Sequence, residues 1–89
     1  MMRSNLVPAF DTESLLLVTA ADCHLCVHAR EVLDALGLEA REVDIASVEA
    51  EALADAGLPL AFLPVLTDGR RVIGYGRLSE KRLRRELGL

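Results

Sequence analysis

The stretch SLLLVTA, residues 14–20, constrains the fold of this chain more than any other. It is a continuous apolar run, of strand length, of the kind found in strands buried on both faces of a sheet. The next segment of the chain supplies the cover. Leu25, Ala29, Val32, Leu33 and Leu36 recur at helical spacing, and Gly37 stands where a helix of that length ends. EAREVDIA, residues 39–46, sets Val43 and Ile45 two apart with Glu42 and Asp44 alternating, which predicts a second strand. Ser47 can cap a second helix carrying Val48, Ala52, Leu53 and Ala56 on one face, with Gly57 closing it.

In LPVLTDGRRVIGYG two short apolar runs flank Asp68 and Gly69, a two-residue hairpin signal. Ser79 can cap a last helix over residues 80–87, with Leu83 and Leu87 one turn apart on its buried side. The order is strand, helix, strand, helix, hairpin, helix. That predicts an α/β domain: a βαβ unit with parallel strands and a right-handed crossover, then α-β-β-α, giving a four-stranded mixed sheet with three helices. Residues 1–13 are polar, contain Pro8 and show no period, so they read as an N-terminal arm ahead of a domain spanning 14–89.

With 89 residues there is one core, and about 60% of the unfolded surface can be buried. Only Phe10, Phe62 and Tyr75 are aromatic, so that core is aliphatic. The charge is uneven: residues 1–69 hold twelve acids and three bases, whereas residues 70–89 hold seven bases and two acids. The basic end reads as a solvated helix face. No aromatic platform is interleaved with its arginines, so nucleic acid is not expected as a partner. No apolar run approaches the roughly 20 residues of a membrane span, and acids flank the longest one, so neither a membrane partner nor a targeting segment is expected. The expected location is the cytoplasm, where a lasting structural disulfide is unusual.

Cys23 and Cys26 are the only cysteines, and they open the first predicted helix. Cys23 falls at or near the N-cap and Cys26 in the first turn, so the two sulfurs share a face. Free amides and the positive end of the helix dipole stabilise a thiolate at the first position, and thiolate is the nucleophilic form. An inert staple is a weak reading, because a four-residue loop gains only about 2 kcal/mol from chain entropy. Zinc is weak by count: four ligands are wanted, and His24 and His28 are the other candidates. His28 lies about 200° round the helix from Cys26 and reads as a surface residue. The favoured reading is a redox pair.

CHLC after a buried strand, FLPVLTDG about forty residues later and RRVIGYGRLSEKRLRREL at the end resemble a glutaredoxin-like protein of the thioredoxin fold. The resemblance spans residues 14–89. It implies a thiol–disulfide oxidoreductase in which Cys23 attacks and Cys26 resolves. It also implies a cis proline at the start of the third strand, opposite the cysteines; Pro64 fits better than Pro59, which lies too far upstream of the turn. A cis bond there would turn the backbone of Leu63 toward an incoming peptide.

The resemblance further places Tyr75, Gly76 and Arg77 in the substrate-binding region, with Arg77 able to meet a carboxylate. His24 takes the place next to the attacking sulfur, where it can donate a hydrogen bond to the thiolate. The chain departs from the glutathione-using pattern in three ways. His24 and Leu25 replace proline and tyrosine between the cysteines, no lysine precedes the pair, and IGYGRLS lacks the paired glycines and acids. The expected partner is a disulfide-containing protein or a small thiol substrate, with glutathione or a thioredoxin reductase as the outside reductant. No metal or organic cofactor is expected. A non-catalytic binding or adaptor module of the same fold, or a CxxC zinc-binding protein, is the alternative.

Overall fold

In the computed structural model, which describes residues 15–89, the apolar run becomes strand β1 (Leu16–Thr19). The expected arm, residues 1–13, lies outside the described residues. Along the chain come α1 (His24–Ala35), β2 (Arg41–Asp44), α2 (Val48–Asp55), β3 (Val65–Thr67), β4 (Val72–Tyr75) and α3 (Glu80–Leu87). The strands lie in the order β2-β1-β3-β4, with β1 parallel to β2 and antiparallel to β3, and β3 antiparallel to β4. This is the α/β architecture expected from the sequence: a four-stranded mixed sheet and three helices. Among the described residues no helix is long and apolar enough to cross a membrane.

Alternation along β1 splits the core into two layers. Leu15 and Leu17 join Ala29, Val32 and Leu33 of α1, Leu66 and Ile73 of the hairpin, and Leu78 and Leu83 beside and on α3. Val18 points the other way, onto Val43, Val65 and Ala50 of α2. Both α1 and α3 therefore cover one face, and α2 covers the opposite one.

Helix α1 stops through backbone bonds that a left-handed residue makes available. The Gly37 amide donates to the Asp34 carbonyl at 3.0 Å and the Leu38 amide reaches back to Leu33 at 2.9 Å. Gly37 has φ +70°, the conformation this double bond requires and one that glycine adopts without strain. Leu38, delivered by that turn, is buried in the first layer.

Two details differ from the sequence expectation. Val48 is 82% exposed and Ala52 and Ala56 are also outside, while Ala50 is buried and Leu53 half-buried. The inward face of α2 is therefore rotated from the expected one. Its apolar residues, mostly alanines, occur on almost every side, so period alone selects no face; the valines of the sheet select it.

The β3–β4 connection is also longer than a two-residue turn. Thr67 pairs with Val72, with an irregularity in register between Leu66 and Thr67, so residues 68–71 form the loop. Side chains hold it. Thr67 Oγ1 donates to the Arg71 carbonyl at 2.6 Å and accepts the Gly69 amide at 2.9 Å. Asp68 Oδ1 accepts the amides of Arg70 and Arg71 at 2.9 and 3.1 Å.

Partial burial pushes the Asp68 carboxyl up, but the two amides and the Arg71 charge outweigh it and hold it below its usual value. Arg30 and Arg41, through their paired hydrogen bonds, likewise hold Glu42 and Glu49 low. A carboxylate depressed in the folded state stabilises the protein above its unfolded pKa of about 4, and that stability is lost as pH falls through the folded value. The melting temperature is therefore expected to be flat from neutrality to about pH 5 and to fall below about pH 4. Asp68→Asn retains the acceptor oxygen and removes the charge, so its acid decline should be shallower than that of the parent. Thermal unfolding of both proteins across the acid range checks this.

Candidate functional site

The chain leaves β1 at Thr19, turns through residues 20–22 and enters α1 at His24, with Cys23 as the N-cap. Asp22 is the residue that makes the turn, at φ +59°; aspartate is one of the few side chains that tolerate this region. Cys23 has extended backbone, φ −100° and ψ 105°, as an N-cap does. Its Sγ accepts the amide of Cys26 at 3.1 Å, taking the place that a serine or aspartate oxygen usually fills. The sulfur thus sits on one first-turn amide at the positive end of a twelve-residue helix.

Cys26 lies in the first turn, with the two Cα atoms 5.2 Å apart and the sulfurs joined in a disulfide. The two cysteines are not equivalent. Cys26 is 1% exposed, and Cys23 is only half-buried. A reagent in solution meets Cys23 first.

Antiparallel pairing fixes what stands beside them. Val18 of β1 lies opposite Val65 of β3, so the carboxyl end of β1, which leads to Cys23, and the amino end of β3, which begins after Pro64, share one end of the sheet. The Leu63–Pro64 peptide is cis. Pro59, the rival position, is exposed and upstream. Among the described residues neither the N–H nor the carbonyl of Leu63 has a backbone partner.

The carboxyl end of β4 reaches the same place, with Tyr75 opposite Val65. The Gly76 amide donates to the Pro64 carbonyl at 2.8 Å, and Gly76 adopts φ +66° to turn the chain away from the sheet there. Pro64, Leu63, Tyr75, Gly76 and Arg77 are therefore neighbours at the sheet end that also carries the cysteines.

His24 is exposed as the first residue of α1. His28, expected at the surface, is instead half-buried, and its Nδ1 is buried with no hydrogen-bond partner among the described residues. Leu25 and Val32, three before and four after it, explain the difference, because this places His28 on the flank of the buried stripe. On the β2 side of the cysteines, residues 20–24 with Val27 and Arg30 line a shallow pocket of 340 Å³. Arg30 marks that side, since its guanidinium pairs with Glu42 of β2 at 2.6 Å. Among the described residues no three His, Cys, Asp or Glu side chains gather as a metal site would need.

Three features of this region carry no signal in the sequence. Nothing around Asp22 announces its left-handed backbone. Phe62 is 69% exposed and its ring lies 6.1 Å from that of Tyr75, a proximity created by the hairpin. Val27, one turn after Cys23, is exposed within the apolar pattern of α1. Among protein-family models none matches the chain, and among curated proteins none does either.

Proposed function

We propose that this chain is a thiol–disulfide oxidoreductase with a glutaredoxin-like, thioredoxin-type fold. The observation that carries the reading is the half-buried Cys23 sulfur resting on the Cys26 amide at the mouth of α1, already bonded to a buried second sulfur. In the reduced protein the same amide and helix end favour the Cys23 thiolate. That thiolate attacks one sulfur of a substrate disulfide, forming a mixed disulfide and expelling the other half as a thiolate. Cys26 then gives up its proton and attacks Cys23 Sγ. The Cys23–Cys26 bond forms, the mixed bond breaks, and the second half of the substrate leaves as a thiol.

Two electrons pass from the dithiol to the substrate, and an outside thiol or dithiol reductant restores the pair. The free backbone of Leu63 beside Pro64, the Tyr75–Gly76–Arg77 turn and His24 form the surface on which the substrate would lie. Glutathione or a thioredoxin reductase is a suitable reductant class, and a reducing compartment such as the cytoplasm suits such a couple.

Alkylation of the reduced protein tests the reading. Iodoacetamide is expected to modify Cys23 well before Cys26, with a rate that titrates below the value of about 8.5 for a free cysteine. Modification of Cys23 no faster than of a free cysteine at neutral pH would instead indicate a binding module without turnover.

A further inference from the structure

Helix α3 carries two of its charges where its own dipole disfavours them. The positive end of a helix favours acids in the first turn, and the negative end favours cations in the last. Helix α2 follows this rule at its start, with Glu49 and Glu51 in the first turn and no base anywhere along it. In α3 Glu80 is followed directly by Lys81 and Arg82. The Arg82 amide donates to the Oγ of the capping Ser79 at 3.2 Å. A glutamate at that position could accept the Ser79 amide in return and complete a reciprocal cap. An arginine cannot, because it has no acceptor. Arg84 and Arg85 stand in the last turn, where the dipole accounts for them. It does not account for Lys81 and Arg82.

At about 100° per residue, Lys81, Arg82, Arg84 and Arg85 share one arc of about 160°, opposite the buried Leu83. Glu80 and Glu86 fall outside that arc. Lys81 lies three and four residues before Arg84 and Arg85, and Arg82 three before Arg85, spacings at which like charges repel. Among the described residues none of the four cations has a carboxylate within salt-bridge distance. Glu86, four after Arg82, lies instead 3.4 Å from Arg71 of the hairpin loop. Arg30 and Arg41, by contrast, each hold a carboxylate through two nitrogens.

We propose that the outer face of α3 is a docking surface for an acidic segment of a partner protein. It goes beyond the oxidoreductase reading and does not depend on it, because the four cations project from the side of α3 opposite its core contact and no cysteine chemistry enters. Charge and composition select this partner. Every residue on the arc is a cation, so nothing there would enter a lipid surface. No aromatic ring stands on α3 to stack on a base. A long polyanion laid on the patch would run on toward the rest of the chain, where residues 1–69 hold twelve acids against three bases. A short run of carboxylates fits the patch alone, and the guanidinium fork matches a carboxylate as it does at Arg30 and Arg41. Its negative charge would also relieve the repulsion among the four cations.

A short peptide of alternating glutamate and alanine, its glutamine counterpart and the variant Arg82→Glu test this, all with the oxidised protein. Titration followed by amide resonances is expected to move residues 80–87 with the glutamate peptide, and raised salt should weaken the binding. The glutamine peptide is expected to bind at least about tenfold more weakly. Arg82→Glu should separate binding from stability. It completes the cap with Ser79 and removes a like-charge neighbour of Arg85, so its melting temperature is expected to rise by about 3 °C. Its affinity for the glutamate peptide is expected to fall by about tenfold or more.

An unchanged affinity in the variant, a melting temperature that does not rise, or resonance shifts centred away from α3 overturns the docking surface. Tighter binding of a duplex DNA, or of phosphatidylglycerol vesicles, than of the glutamate peptide at the same salt overturns it as well, by assigning the face to nucleic acid or to lipid. Because Cys23 and Cys26 stay bonded throughout, each of these results leaves the oxidoreductase reading where it stands.

Discussion

Serine at position 23 is expected to abolish reduction of disulfides, whereas serine at position 26 should leave the first step and stop the second. The asymmetry comes from burial. Cys23 is the sulfur that solvent reaches and the one that accepts the Cys26 amide, so in the proposed exchange its loss removes the nucleophile. Cys26 is 1% exposed and its only access to chemistry is through Cys23. With Cys26→Ser the mixed disulfide of the proposed exchange is expected to form between Cys23 and the substrate and to have no internal resolving thiol. Mass spectrometry of the variant after mixing with an oxidised substrate should show the chain with the substrate half attached. Turnover should fall at least about a hundredfold in Cys23→Ser, the scale of loss expected when an activated nucleophile is removed. A Cys26→Ser protein that accumulates no adduct, or a Cys23→Ser protein that turns over normally, would contradict the order of attack.

The largest expected effect on stability is at Leu66. It lies on β3, with no exposed surface, between Leu15 and Leu17 of β1 and the residues of α1 and α3. Leu66→Ala removes the branched end of the side chain at the point where both helices and the central strands converge, and little can collapse into the space. The cost is expected to be about 3 kcal/mol. For a domain of this size total stability is of order 5 to 10 kcal/mol, so the variant would lose roughly a third or more of its margin and melt at least about 10 °C lower. Urea unfolding should show the midpoint fall with little change in slope. Val48→Ala provides the contrast. Val48 is exposed, and its substitution should stay within about 0.5 kcal/mol of the parent.

Legibility in the sequence tracks the strength of local signals. The last helix is readable to its ends because Ser79 offers a cap, Leu83 and Leu87 lie one turn apart, and everything else on the helix is charged. Ser79 Oγ does accept the Arg82 amide, at 3.2 Å. The central strand and the cysteine-bearing N-cap are equally legible, because a continuous apolar run and a change to helical period bracket them. The face of α2 is not, because alanines give almost no amphipathic contrast and the deciding partners, Val18, Val43 and Val65, are far away in sequence.

The turn between β3 and β4 departs from its expected length for a related reason. Asp68-Gly69 suggests the tightest hairpin, but Thr67 and Asp68 side chains supply enough hydrogen bonds to hold a four-residue loop. Within the candidate site, Cys23 and Cys26 announce themselves by spacing. Tyr75 enters only through the family resemblance and Phe62 not at all: thirteen positions separate them, and the register of β3 against β4 sets them together.

Asp22 decides which variants the chain tolerates just ahead of Cys23. A library randomised at that codon should retain chiefly glycine, asparagine and aspartate among well-folded members, since branched and bulky residues at φ +59° push Cβ into the neighbouring carbonyl. Glycine and asparagine would also remove the negative charge from the residue next to Cys23. A single position thus offers a route for changing the charge beside Cys23 while leaving the path of the polypeptide into α1 intact.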